Sequence, residues 1–487
     1  MRIGVSLEGL IFLTVCSGLT LFCWSQIHHG YLSADALQQY ADALILNGAS
    51  GSRPEFMALL YPHATRFLSL LLGGLPGLSA EISPYLLGTL ATAATLTLAW
   101  RDIARSHGRL WALILILPFS AHPFLLWTAS SAGSLALTLL VFYAICRTLR
   151  RLEGDPDTAT YFGIGGWLCL LLAIDVRAVF ICAGLLPWLA WTAPDRVMRH
   201  SPTAFYLVCY VPAVMALAAW VYINWLYVGD GLAFLRDPPS VFRCGATFTD
   251  DFPRFPSYDG SFLGPFLWTT LLGMAAFPSL LLLPDATEGV RKAVLCALLT
   301  IISAAGLATL APAPSQVLGF LSLLAAPTLL GLAAIRARHR LLVVGLLLLS
   351  LPASWIVMQY QQTDDVRSWL AALDGGNEQP YRDEIEVGEW LANTHLPTLI
   401  GQRFVPAILA GRKSAEGLLL LSSAAYGQAV SGTGISSPQI IVADPASSAG
   451  EQDEITCRFP SLWKSGLPGY QLVFERGVFR VWRKAGL

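Results

Sequence analysis

Eleven apolar stretches, each close to the length of a membrane crossing, constrain this chain more than any other feature. A helix needs about 20 mostly apolar residues to cross the hydrocarbon core of a bilayer. Such runs fall at 7–27, 83–100, 109–125, 128–146, 161–175, 177–193, 203–227, 263–284, 292–310, 316–335 and 341–358. The pair 161–175 and 177–193 is too long for one crossing and is read as two. These runs are continuous rather than alternating, so the backbone groups they carry into lipid must be satisfied within helices. A polytopic α-helical membrane protein is expected. Composition agrees, since only 13% of the 487 residues are charged, about half the share of a soluble domain. The 31 basic and 32 acidic residues nearly cancel, which leaves no basic face for nucleic acid. Charge is concentrated late, with 38 charged residues in 1–358 and 25 in 359–487. The expected division is a transmembrane domain over 1–358 and a soluble α/β domain over 359–487.

Seven of the nine cysteines lie inside apolar runs, where cysteine acts as a small hydrophobe. No C-x-x-C pair occurs, and only Cys244 and Cys457 sit in polar segments. Arg2 before an apolar run has the look of a signal peptide, but no Ala-x-Ala site precedes Gln26 and Val15 is bulky for a lipoprotein box. The first helix is therefore read as uncleaved.

Basic residues in short loops set the orientation. With the N-terminus inside, the inner segments carry 14, among them Arg101, Arg105, Arg109, Arg336, Arg338 and Arg340. The longer outer loops carry six: Arg53, Arg66, Arg177, Arg236, Arg243 and Arg254. If the apolar but proline- and glycine-broken stretch 59–78 also crossed, every later loop would change sides and the bias would fail. It is read as a helix lying in the outer interface. The large outer loops are then 28–82 and 228–262, with very short outer connections near 126, 176 and 311–315. The tail also lies outside.

In the first outer loop Ser33 can cap a helix over 34–46, stopped by Asn47-Gly48. Asp35, Gln39 and Asp42 fall at i, i+4 and i+7, on one face. That face is either the solvated side of an interfacial helix or a place for a carboxylate at the membrane surface. Asp42, two turns further from the membrane helix, is expected nearer solvent.

An acidic residue after the first span (Ser33-Ala34-Asp35-Ala36), then Leu60-Tyr61-Pro62-His63, and later Asn224-Trp225 followed by Gly229-Asp230 at the end of the seventh helix together resemble the GT-C superfamily of membrane glycosyltransferases, of the dolichyl-phosphate-mannose and aminoarabinose transferase kind. The resemblance implies a polyprenyl-phosphate-linked sugar as donor, an inverting transfer, and a lipid, glycan or protein acceptor in the cell envelope. Asp35 matches the family's catalytic acid by position. The chemistry agrees, because an attacking hydroxyl must lose its proton to a base within hydrogen-bond reach. Two departures stand out. The stretch Trp127–Ser134 has no second carboxylate, and the second proline of the family's Tyr-Pro-Pro is His63. Asp42 and Glu55 are secondary acidic candidates. A divalent cation on the phosphate stays open, and His28 and His29 with Asp35 form no fixed ligand spacing.

Arg177, beside Asp175 at the outer end of adjacent spans, suits a bidentate grip on a lipid phosphate; a local ion pair with Asp175 explains it equally well. Arg66, His63 and Tyr61 are further donor-phosphate candidates, against simple snorkelling to headgroups. In the second large loop Asp250, Asp251 and Tyr258 are candidates for acceptor recognition, against an interfacial aromatic belt. Cys244 and Cys457, both in outer segments, are candidates for a disulfide in a compartment that permits one. The tail predicts helices at 385–393 and 415–421, a short extended piece at 398–401, a buried strand at 439–443 and a hairpin over 470–483. Two other readings stay open: a non-catalytic GT-C-like subunit of an envelope assembly, and a transporter or flippase. The expected location is the bacterial inner membrane, with the N-terminus cytoplasmic.

Overall fold

The structure, a computed structural model, describes residues 7–48, 63–152, 157–229, 231, 263–308, 316–360, 364–376, 380–420, 426, 429, 435–447, 449–450 and 453–487. The chain forms two compact units. One comprises Met1–Ser33, Pro62–Ala219 and Pro253–Glu378, the other Ala34–Tyr61, Trp220–Phe252 and Gln379–Leu487.

The helices of the first unit are α1 (Leu7–His28), α3 (His63–Gly73), α4 (Ser83–His107), α5 (Arg109–Ser120), α6 (Pro123–Ser130), α7 (Ser134–Leu152), α8 (Thr158–Ile174), α9 (Ala178–Thr192) and α10 (Asp195–His200). They continue with the first part of α11 (Pro202–Val228), then α12 (Leu263–Ala276), α13 (Glu288–Ala308), α14 (Gln316–Leu323), α15 (Ala325–Leu332), α16 (Arg340–Gln359) and α17 (Asp364–Leu373). Helix α2 (Ala34–Gly48) belongs to the other unit. Among the described residues, α1, α11, α13 and α16 are each long and apolar enough to cross a membrane alone. The protein is a polytopic helical membrane protein.

Close crossings between these helices are made by small residues, which let backbones approach in a membrane. A Cβ on Gly88 of α4 would sit 2.4 Å from Ala129 O of α6, and one on Gly184 of α9 would sit 2.7 Å from Thr300 O of α13. The connection expected near 126 is corrected by the structure. Residue 126 lies inside α6, and the breaks come at Ala121–His122 and at 131–133. Pro123 opens α6 with His122 extended, and α5 and α6 meet at 68°. Ala132 (φ 67°) and Gly133 (φ 110°) then turn the chain into α7. Ala132 is fully buried and pays about 1–2 kcal/mol of backbone strain in that region.

Helix α17 follows the last span, yet it is part of the first unit. Trp369 holds it there: fully buried, it donates from Nε1 to Ser130 Oγ at 2.8 Å and packs between Phe22 and Trp355. Tyr31 OH donates to Asp365 Oδ2 at 3.2 Å. Burial, with the charge of Asp365, holds the Tyr31 phenol well above its usual pKa.

The second unit contains α2, α18 (Arg382–Leu391), α19 (Val405–Arg412), α20 (Glu454–Arg458) and α21 (Leu462–Ser465). Its sheet has β1 (Thr398–Leu399), β2 (Leu418–Leu419), β3 (Gln439–Ala443), β4 (Tyr470–Arg476) and β5 (Phe479–Lys484) in the order β2-β1-β3-β5-β4. The first three strands are parallel; β3, β5 and β4 are antiparallel. The predicted buried strand and hairpin are β3 and β4–β5, with Ile441 opposite Val481. The helix expected over 415–421 is instead strand β2. Gly417 at φ 76° breaks the helical path, and its carbonyl accepts from Thr398 N at 2.9 Å, starting the parallel pairing.

Candidate active site

Helix α2 carries the acid-bearing segment. It is not a helix with one solvated face. Ala36, Leu37, Ala41, Ala43 and Ile45 are buried, and Ala41 and Ile45 join a core with Val387, Leu391, Val405, Ile408, Leu409 and Phe479. The acid-bearing helix and the C-terminal domain are therefore one body. Asp35 lies in the first turn of α2 and is exposed. That turn is the positive end of the helix dipole, where an acidic side chain is well placed. The expectation that Asp42 lies nearer solvent is overturned. Asp42 is 2% exposed, and its Oδ1 accepts from Gln38 Nε2 at 2.9 Å. The shared face of Asp35, Gln39 and Asp42 runs from solvent into packing, because α2 docks along its length rather than lying on a surface.

In the first unit Arg177 is clamped. Its Nε donates to Asp175 Oδ1 and Oδ2 at 2.9 and 3.0 Å, and its Nη2 lies 2.8 Å from Oδ2. Thr138 Oγ1 donates to the same carboxylate at 3.0 Å, and Arg177 N donates to Oδ1 at 2.9 Å. The pair is mostly buried, at 15% and 5% side-chain exposure. Gly319 of α14 lies against the guanidinium: a Cβ there would fall 1.9 Å from Nη1. Sequence reasoning found Asp175 and Arg177 but missed Thr138 and Gly319. Inside apolar helical runs, a threonine and a glycine give no signal of what they face.

Helix α3 joins the same cluster. Thr65 Oγ1 donates to Ile174 O at 3.0 Å, so the segment that carries Arg66 is fastened to the turn that carries Asp175 and Arg177. Its polar side chains Thr65 and Ser69 face inward and are buried, while Phe67, Leu68 and Leu71 are exposed. An apolar outer face is what a helix resting on lipid presents. His63 opens α3; its side chain lies outside the described residues, as do Tyr61, Glu55, Asp250, Asp251, Tyr258 and Cys244. Cys457 is disulfide-bonded, and the seven cysteines of the apolar runs are free. No group of three His, Cys, Asp or Glu side chains that could hold a metal occurs among the described residues. His29 Nδ1 lies 2.7 Å from Ser25 O, within its own helix.

No protein-family model matches the sequence, and no curated protein matches it. Solved structures do. ArnT from Cupriavidus metallidurans bound to undecaprenyl phosphate superposes with a TM-score of 0.60 at 11% identity, over 99% of this chain and 99% of that one. The apo state of the same protein gives 0.58 at 13% identity, over 97% of each chain. The chain has the fold of ArnT. At such low identity the likeness is one of fold, and it extends over the C-terminal sheet-bearing segment as well as the helices. The match therefore covers the segments that carry Asp35, Arg66 and Arg177.

Proposed function

We propose that this chain is a membrane glycosyltransferase that moves a sugar from a polyprenyl-phosphate-type donor to an envelope acceptor at the outer face of the bacterial inner membrane. What carries the reading is a match over nearly the whole chain to ArnT, one of whose structures holds undecaprenyl phosphate. Asp35 takes the proton of the acceptor hydroxyl as its oxygen bonds the anomeric carbon. The bond from that carbon to the phosphate oxygen breaks, and the lipid phosphate leaves with the electron pair. Attack from the face opposite the leaving group inverts the sugar carbon. Arg66 and Arg177, with His63 and Tyr61, are assigned to the donor phosphate, and Asp250, Asp251 and Tyr258 to the acceptor. Asp42 and Glu55 are the reserve acids, of which Asp42 is the poorer choice because a buried carboxylate has no path to an acceptor. Cys457 is assigned Cys244 as its disulfide partner.

The eleven-span topology is part of the proposal, and one contact supports it. Helix α2 follows the first span and packs on α19, which follows the last. Segments that fold together share a side, so the crossings between them must be even in number. Ten separate them in this reading; counting α3 as a further crossing makes eleven and parts them.

Asp35→Asn tests the function. It keeps size and most hydrogen bonding but cannot accept the proton. Loss of a general base lowers rates by about 10²–10⁴-fold, with donor binding and melting temperature near those of the parent. Full transfer activity in the variant would remove Asp35 as the base and leave the non-catalytic subunit as the better account.

A further inference from the structure

At the far end of the first unit from the Arg177 cluster along α4, three elements meet around a cleft. His107 ends α4, Trp111 lies in the first turn of α5, and Arg340 opens α16. The Arg340 guanidinium lies over the Trp111 ring, 5.3 Å from its centroid, and its Nη2 donates to His107 Nδ1 at 3.3 Å. That bond requires a neutral imidazole, and burial together with the Arg340 charge lowers the His107 pKa. The floor of the cleft is apolar, with Leu115, Leu332 and Val343 among its lining.

Arg340 carries a positive charge with no carboxylate partner among the described residues, and the ion pairs Arg101–Glu8 and Arg147–Asp102 do not include it. It also sits at the first position of α16, where the helix dipole disfavours a cation. An anion would answer both. The two helices that bear Trp111 and Arg340 also present strongly exposed apolar side chains: Leu110 and Leu117 on α5 are 70% and 73% exposed, and Leu341 on α16 is 81% exposed. In a membrane protein that surface faces lipid. A soluble anion could satisfy the guanidinium but would leave the apolar floor and rims uncovered.

We propose that this cleft binds an anionic phospholipid, its phosphate on Arg340 and Trp111 and its acyl chains along the lining and rims between α5 and α16. Basic pockets between membrane helices are recognised sites for acidic headgroups. The site is separate from the donor phosphate site and does not depend on the transferase reading.

The test uses the purified full chain in detergent with a photoactivatable phosphatidylglycerol. Labelling is expected on peptides spanning 107–115 or 332–343. Unlabelled phosphatidylglycerol should compete at least tenfold better than phosphatidylcholine, and glycerol 3-phosphate should not compete. Arg340→Gln is expected to reduce labelling about tenfold and Arg340→Lys to retain most of it, with melting in lipid-free detergent as the folding control. Equal competition by phosphatidylcholine overturns the charge requirement. Equal competition by glycerol 3-phosphate overturns the amphiphile. Labelling of the parent protein confined to other peptides removes the site whatever the variants do.

Discussion

The Asp175–Arg177 pair has two available jobs, and its geometry puts a measurable structural role alongside the proposed one. Two of the three guanidinium nitrogens are already engaged by Asp175, and the carboxylate is nearly buried. Removing one partner of such a pair strands the other charge at about 3–5 kcal/mol. Arg177→Gln should therefore lower the melting temperature clearly, and adding Asp175→Asn should recover much of the loss, because no charge then remains unpaired. A double-mutant cycle by thermal melting reads this coupling directly. If the two single variants simply add, the pair is not a structural unit and Arg177 is left to the phosphate alone. At this scale the sequence marked the charged residues well, since ionisable side chains beside membrane spans are few. It could not rank them: Asp42 and Asp35 look alike on a helical wheel, and only the docking of α2 makes one buried and the other exposed. Another buried acid, Asp453, caps α20 by accepting from Ile455 N and Thr456 N. Burial raises its pKa above the usual carboxylate value. Its protonated form is favoured in the fold, so its contribution to stability is present below the unfolded pKa and is lost as pH rises through the raised folded one. Asp453→Asn still caps but does not ionise. The parent should lose melting temperature relative to this variant as pH climbs from about 4 towards neutrality. A constant gap between the two across that range would remove the effect.

Among the elements, α2 shows how the helix that bears Asp35 can be held by segments far away in sequence. Its apolar positions, read alone, suit an interfacial helix, and the period of 3.6 cannot say what covers them. Their partner lies more than 300 residues on, in α18 and α19. Those two helices cross with their backbones in contact: a Cβ on Gly388 would fall 2.1 Å from Ile408 O, and one on Gly411 would fall 2.1 Å from Ile385 O. This reciprocal pair fixes α19, and α19 supports Ala41 and Ile45 of α2. Ile45→Ala should cost about 2–5 kcal/mol as a buried large-to-small change, lowering the melting temperature of the domain. The exposed Phe67 of α3, changed to Ala, should leave it nearly unchanged. Equal effects from the two would mean that α2 is not docked as described. The tail's strand β3 and hairpin β4–β5 were legible because alternation and a glycine-bearing turn are local signals. Strand β2 was not, since its two residues take their conformation from pairing with β1.

For the whole molecule, the composition and the eleven apolar runs were enough to anticipate the fold class, because lipid permits so few backbone arrangements. The interleaving of the two units was not anticipated, because it depends on contacts between segments that no local pattern links. That interleaving sharpens the topological claim. With α2 and α19 in one core, the segment after α1 and the tail after α16 stand or fall together: no rearrangement of the intervening spans can place one outside and the other inside while the core is intact. Alkaline phosphatase fused after Leu487 should be active, and a cytoplasm-dependent fluorescent protein at the same site should be dark. A cysteine introduced at exposed Asp35, in a background where Cys457 is retained, should react with a membrane-impermeant maleimide in intact spheroplasts. An active phosphatase with an unreactive Asp35→Cys that labels once the cells are permeabilised would break the shared-side argument, and with it the ten crossings counted between them. A dark phosphatase with a bright fluorescent fusion would invert the whole assignment and move Asp35 and Arg66 to the cytoplasmic face.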